Sequence, residues 1–332
     1  MTARLRDLLA TALLIALPVS TGAQEIILAL LLALAVVSGG ARAAFTLPWT
    51  AAAVTFAGTW TLGALARGDV HEALGHAWLL APFLALGALE PSGSTAERRR
   101  TLGLAAAAAA AAYAIVQAAR GAAAAGTLSH HLTLAYALLP PLGVALARRR
   151  WSFAAVIGAG VLATRSDAAP AALAATTLVA LGLPAAAGTA VGAVATLTGL
   201  AWFAPAGDLQ QRAVLWTGGL SVPPGTAGAG GYRAASAPLY DRLQPGFWYP
   251  NHAHDSFIQL GATLGAGGWA AATLLVATIF GAATPGAGAG LVGVLVGGLT
   301  QDTFGDLEVV RAAWIWVMIE GTASVRSGRS RA

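Results

Sequence analysis

Apolar stretches long enough to cross a lipid bilayer follow one another along most of this 332-residue chain, and short polar runs separate them. A bilayer core takes about 20 apolar residues of helix, so about 12 crossings would use about 240 residues and leave about 90 for loops and tails. The candidate spans are two short hairpin-connected runs before Ser38, then about Phe45–Ala66, Glu72–Leu89, Thr101–Ala119, His131–Ala147, Trp151–Thr164, Ala168–Leu183, Ala185–Phe203, Ser256–Phe280, Gly288–Gln301 and Arg311–Val325. Composition agrees: 57% of residues are hydrophobic and only 10% charged, against about 25% charged in a soluble domain. The expected fold is all-α, a polytopic transmembrane bundle forming a single integral membrane domain over 1–332. Its one larger outer loop is expected at 204–254, between the ninth and tenth spans. Met1–Leu17 also has the outline of a secretory signal peptide, but the apolar run from Glu25 to Ser38 follows at once and favours two membrane segments.

Arginine tests that layout, because cytoplasmic loops collect basic residues. Every basic residue other than histidine is arginine. Arg4 and Arg6, Arg42, Arg98–Arg100, Arg148–Arg150 and the tail residues Arg326, Arg329 and Arg331 share one side if every candidate crosses. Both termini are then cytoplasmic and 204–254 lies outside. The net charge of +5 therefore reports orientation and is no argument for a nucleic-acid partner. The absence of cysteine excludes disulfides, thiolate metal sites and thiol nucleophiles.

Ionisable groups gather on the expected outer side, where proximity to the bilayer makes them expensive. Arg165 follows a span within Thr164-Arg165-Ser166-Asp167. Arg212 lies in Gln211-Arg212-Ala213-Val214-Leu215-Trp216. Arg233 and Arg242 come later, the former after the glycine-rich run ending Gly230-Gly231. Pro250-Asn251-His252-Ala253-His254-Asp255-Ser256 opens the next span. Ordinary roles exist for all of them: arginines at span ends snorkel to headgroups, and Asp255 or Ser256 can cap a helix. The His252/His254 pair lacks further metal ligands at sensible spacing, so no metal is expected. His71, His76, His130 and His131 read as interfacial polar residues. Gly261, Gly265 and Gly268 recur at helical spacing and predict a groove for close approach of another helix.

These residues resemble the O-antigen ligase and polymerase superfamily, multispanning bacterial glycosyltransferases. The family's signature is a histidine, then Asn, Ser or Gln, nine residues and Gly-x-x-Gly. Here His254 and Asp255 precede nine residues and Gly265-Ala266-Gly267-Gly268. Phe257-Ile258-Gln259-Leu260, Arg212 with Leu215-Trp216, Thr164-Arg165-Ser166 and the polar stretch Asp302–Arg311 are similar too, as is the twelve-span plan. Asp255 stands where the family has an amide or hydroxyl, Thr263 where many members have glutamate, and Thr164 where they have serine.

The resemblance implies a multi-pass protein of the bacterial inner membrane that needs no cofactor. Its partners would be an undecaprenyl-diphosphate-linked glycan donor, a glycan or lipid-linked acceptor, and membrane lipid. Arg165 and Arg212 would bind the diphosphate, since guanidinium forks pair with phosphate oxygens. His254 would be the catalytic base, since neutral imidazole suits proton removal from a hydroxyl. His252, Arg233 and Asp255 are second choices for the same site. Whether the product belongs to ligase or repeat-unit polymerase chemistry is open. A polytopic transporter or flippase is the rival from another class, although its usual repeated halves are not evident here.

Overall fold

The structure, a computed structural model, describes the chain except residues 1, 46, 48, 88, 90–92, 127, 129, 204–205, 229–230, 247–251, 305 and 330–332. Gly230, Pro250, Asn251 and Arg331 of the sequence reading lie outside the described residues, as do the side chains of Arg326 and Arg329. The described residues form helices and no strand. Alanine, the strongest helix former, fills the cylinders, and polar residues or prolines start many of them. Ser20, Asp69, His130 and Thr284 each accept a backbone N–H of the helix they precede.

In chain order the elements are α1 (Thr2–Ala16), α2 (Thr21–Val37), a short α3 (Ala41–Ala44), α4 (Thr50–Ala66) and α5 (Val70–Ala77), which runs through a 3-10 turn at Trp78–Leu80 into α6 (Ala81–Leu86). Next come α7 (Gly93–Ala119), α8 (His131–Ala137) continuing as α9 (Leu139–Ala147), α10 (Trp151–Ala163), α11 (Ala169–Ala180) and α12 (Ala185–Phe203). The chain ends with α13 (Ala206–Ser221), α14 (Tyr232–Leu243), α15 (Ser256–Ala282), α16 (Pro285–Gly297) and α17 (Leu307–Arg329). Three segments, Gly93–Ala119, Ala185–Trp202 and Ser256–Phe280, are long and apolar enough to cross a membrane, and shorter apolar helices stand beside them. Large apolar side chains also face outward, Trp202 at 80% and Leu62 at 69% exposure. This is the character of a membrane protein.

Polar side chains pair at both ends of the bundle, and the larger arginine–carboxylate network lies at one of them. At one end Arg99 pairs with Asp7 at 2.8 Å, Arg148 with Glu320 at 2.8 Å and Arg150 with Glu97 at 2.6 Å, while Arg100 also pairs with the buried Glu320. Those bonds tie α1, α7, α17 and the α9–α10 turn together. At the other end Thr21 donates to Glu308 at 2.6 Å and Thr133 to Asp306 at 2.7 Å. Between the ends, α9 and α16 touch backbone to backbone: a Cβ on Gly143 would run into the carbonyl oxygen of Gly286.

One expectation needs correction, and the expected outer loop at 204–254 has structure of its own: its described residues carry α13 and α14. They close over a small core of Leu215, Val222, Ala227, Tyr232, Tyr240, Ala253 and Ala262, with the two tyrosine hydroxyls 2.8 Å apart. The correction concerns the glycines of α15, which do not form a straight groove. Gly265 leaves helical geometry at φ 63°, ψ −153° and breaks the helix. Trp269 Nε1 donates to Phe257 O at 2.7 Å, although residues that far apart on a straight helix are separated by about 18 Å. The two arms therefore bend sharply back on each other. Carbonyls at the break are satisfied from outside: Gly225 N donates to Gly261 O at 3.0 Å and Ala227 N to Ala262 O at 3.1 Å.

Candidate functional site

Two turns at the end opposite the arginine–carboxylate network have left-handed backbone at residues other than glycine. Arg165 sits at φ 54° and His254 at φ 53°. Such conformations cost energy and collect at functional sites. The first turn closes α10. Its Ser166 is buried and hydrogen-bonds the hydroxyl of Tyr136 at 2.9 Å. Asp167, next along, pairs with Arg212 of α13, and the same guanidinium donates to Thr300 O at 3.2 Å. Tyr136 packs flat against Gly297, where any Cβ would strike its ring.

The second turn enters α15. Asp255 Oδ1 accepts from Phe257 N at 2.8 Å and Ile258 N at 2.9 Å, so this aspartate is the helix cap. Gln259 reaches back to Ala253 N at 2.9 Å and holds the preceding loop. Ser256, fully buried, fixes the loop against the 298–304 turn. Its N donates to Gly298 O at 2.7 Å, and its Oγ meets Gln301 O at 3.2 Å and accepts from Phe304 N at 3.1 Å. The imidazoles of His252 and His254 lie 4.3 Å apart, and His254 N donates to His252 Nδ1 at 3.3 Å. In neutral His252 the proton is therefore on Nε2.

The second turn borders a cavity of about 440 Å³, and the first reaches it through Tyr136, the partner of Ser166. His130, Thr133, Tyr136, His252, His254, Gln301, Asp302, Thr303 and Asp306 supply its polar lining. Burial pushes the His254 pKa down to about 4. The neighbouring His252 and the positive charge of Arg212 push the same way, against a hydrogen bond to Gln301, which favours the protonated ring. Burial also lowers His252. Both imidazoles are thus neutral near pH 7, the form that can accept a proton. Burial raises Asp255 to about 6 against its two backbone hydrogen bonds.

Of the residues picked from sequence, His252 and His254 line the cavity and Arg212 stands close enough for its charge to act on His254. Arg165 is exposed beside the Ser166–Asp167 anchor and is not part of the lining. Asp255 spends an oxygen on capping. Arg233 is exposed on α14, away from the lining. Sequence reasoning passed over His130, Thr133, Tyr136, Gln301 and Asp306 as site residues. His130 was visible as one of a pair at a span start. Its place beside His254 depends on how α8 packs, which local spacing does not encode. Among the described residues no group of three or more potential ligands is arranged to hold a metal.

Two apolar hollows are also present. A groove of about 720 Å³ runs between α12, both arms of α15 and α16, walled by Phe257, Trp269, Phe280 and Phe304. A smaller pocket of about 280 Å³ places Arg212 among Leu197, Leu200, Leu209 and Trp216. Arg212 thus lines an apolar pocket while its guanidinium is held by Asp167 and Thr300 O. No family model matches the chain, and no curated protein matches it.

Proposed function

We propose that this chain is a membrane glycosyltransferase of the O-antigen ligase type, with repeat-unit polymerisation as the alternative within the same chemistry. It crosses a bacterial inner membrane about 12 times, counting the shorter helices as spans, with both termini in the cytoplasm and the histidine end outside. The observation that carries the reading is that His254, a buried neutral imidazole, lines the polar cavity while Arg212, which lines an apolar pocket, stands near enough for its charge to act on that imidazole. The resemblance in the order of motifs supports it, as does left-handed backbone at both Arg165 and His254.

Chemistry follows from those groups. A glycan on undecaprenyl diphosphate enters with its prenyl chain in lipid-facing space and its diphosphate against Arg212, with Arg165 at the rim. Guanidinium groups stabilise the leaving diphosphate as its charge grows. His254 removes the proton of the acceptor hydroxyl while that oxygen attacks the anomeric carbon. The bond to the diphosphate oxygen breaks, and configuration inverts. Neutral His252, whose Nδ1 accepts the backbone N–H of His254, steadies the strained turn.

The transporter reading draws on the broken helix α15, since transporters place unwound helices at their binding sites. Here the break at Gly265 is covered by the backbone of Gly225 and Ala227. Among the described residues, α15 alone is interrupted in this way at the middle of a long helix. His254→Ala and Arg212→Ala variants, each at wild-type membrane abundance, should lose glycan transfer in cells. Retention of transfer by either would overturn the assignment. Deleting the gene separates the two enzyme readings: polymer left on its lipid carrier indicates a ligase, and single repeat units a polymerase.

A further inference from the structure

The arginine that would hold the diphosphate and the residues that line the large polar cavity differ in charge. Among the described residues no arginine lines the cavity, whereas Asp302 and Asp306 both do. Asp306 sits low in the wall, accepting Thr133 Oγ1 at 2.7 Å and the N–H groups of Glu308 and Val309 at 3.0 and 3.2 Å. Its position is therefore fixed by three hydrogen bonds, two of which cap α17. Asp302 neighbours Ser256 Oγ at 3.4 Å, directly under the His254 turn. His130, His252 and Gln301 complete a rim of groups that donate to or accept from hydroxyls. At about 440 Å³ the space falls within the range of small-molecule sites, about 300–1,000 Å³.

We infer that this cavity is the acceptor subsite, and that it selects a hydroxyl-rich glycan end that is neutral or carries an amine, rejecting uronate and phosphorylated ends. This rests on the transfer reading, in which His254 must face the acceptor hydroxyl. The selection is electrostatic. An acceptor carboxylate or phosphate would lie within a few ångströms of two aspartates in a space partly shielded from water, where like charges repel strongly. A sugar amine meets the same aspartates as counter-ions, and a neutral sugar meets them as hydrogen-bond acceptors. Division of labour results: Arg212 handles the anionic donor beside its apolar pocket, and the aspartates keep other anions out of the acceptor position.

The test uses the full chain in lipid nanodiscs and three matched disaccharide probes, read by saturation-transfer NMR: chitobiose, its de-N-acetylated diamine and digalacturonate. Chitobiose and the diamine are expected to bind, and digalacturonate at least about tenfold more weakly. In the Asp302→Asn/Asp306→Asn double variant the digalacturonate penalty should shrink at least fivefold and the diamine should lose any advantage over chitobiose. Asparagine also caps helices well, so the start of α17 is preserved, and single Asp302→Asn gives the same readout if the double variant does not insert. The inference is overturned if digalacturonate binds the wild type as well as chitobiose does. It is equally overturned if the variants leave the ranking unchanged, or if none of the probes binds. The donor reading is checked separately with farnesyl diphosphate, which should bind the wild type and be lost in Arg212→Ala. Failure of that arm alone sinks the donor assignment and leaves the charge ranking of the cavity to stand on its own result.

Discussion

Replacing Gly265 by alanine is the sharpest test of how the signature glycines work. At φ 63°, ψ −153° the backbone occupies a region open essentially to glycine, and another residue there costs about 1–3 kcal/mol. Space is not the obstacle, since an added Cβ would find Gly225 N at 3.4 Å and Pro224 C at 3.5 Å. The alternative is for α15 to straighten. That would strip Gly261 O and Ala262 O of the Gly225 and Ala227 donors and separate Trp269 from Phe257 O, bonds worth about 0.5–1.5 kcal/mol each. The first route costs about 1–3 kcal/mol and the second about 1.5–4.5 kcal/mol for its three bonds, and the second also moves the arm that begins at Ser256. Gly267→Ala is the matched control. Its Cβ meets nothing within 4 Å, and alanine in a helix gains about 0.5–1 kcal/mol over glycine. Thermal unfolding in detergent, followed by tryptophan fluorescence, should show a clear loss for Gly265→Ala and none for Gly267→Ala. Glycan transfer in cells should follow the same order. Equal stability and equal transfer for the two variants would refute the argument that the motif exists to break the helix.

Three further outcomes are expected. Glu320→Gln leaves the buried Arg100 and the partly buried Arg148 without their shared carboxylate. It should destabilise by about 3–5 kcal/mol, while Glu97→Gln, on a 40% exposed side chain, should cost under about 1 kcal/mol; comparable melting shifts would contradict this. Gly143→Ala forces a methyl into the Gly286 carbonyl and the Gly290 backbone and should cost about 1–3 kcal/mol, read as a lower yield of folded protein on size-exclusion chromatography. His254 has a folded pKa of about 4, below the unfolded value of about 6.5. Its contribution to stability is therefore complete above about pH 6.5 and is lost as pH falls through about 4. The His254→Gln variant should lack that part of the pH dependence of melting, and superimposable curves would argue against a buried neutral histidine.

The helical class and the separation of polar chemistry to two ends were legible in the sequence because both are one-dimensional. Apolar runs have a length, and clusters such as Arg98–Arg100 and Arg148–Arg150 have an order; Asp7, Glu97 and Glu320 then pair with them at one end. Motif order singled out His254, which lines the cavity, and Arg212, whose charge acts on it. What was not legible depends on crossings between distant helices. Tyr136 earns its place through Ser166 and the flat face of Gly297, and Asp306 through Thr133, and no local spacing predicts either contact. Gly265 misled for a physical reason. Glycine every few residues in an apolar helix is as compatible with tight packing as with a break, and only the arrival of the Gly225–Ala227 backbone decides between them. The helices at 206–221 and 232–243 were missed because their apolar residues are sparse, and what they bury is mostly each other.

His254 is a weak base, and the causes of that weakness bear on how it would work in the proposed transfer. Burial contributes most, then His252, then the charge of Arg212, opposed by Gln301. On the transfer reading the diphosphate of the donor lies against Arg212 and neutralises the charge that disfavours a protonated imidazole, while adding negative charge of its own nearby. Both effects raise the His254 pKa toward the operating pH, where general-base catalysis is most effective. On the same reading, imidazole basicity would be coupled to donor binding through one guanidinium, which Asp167 shares. A diphosphate would then compete with that carboxylate for Arg212, so the Arg212–Asp167 pair would bear on the proposed chemistry as well as on the fold.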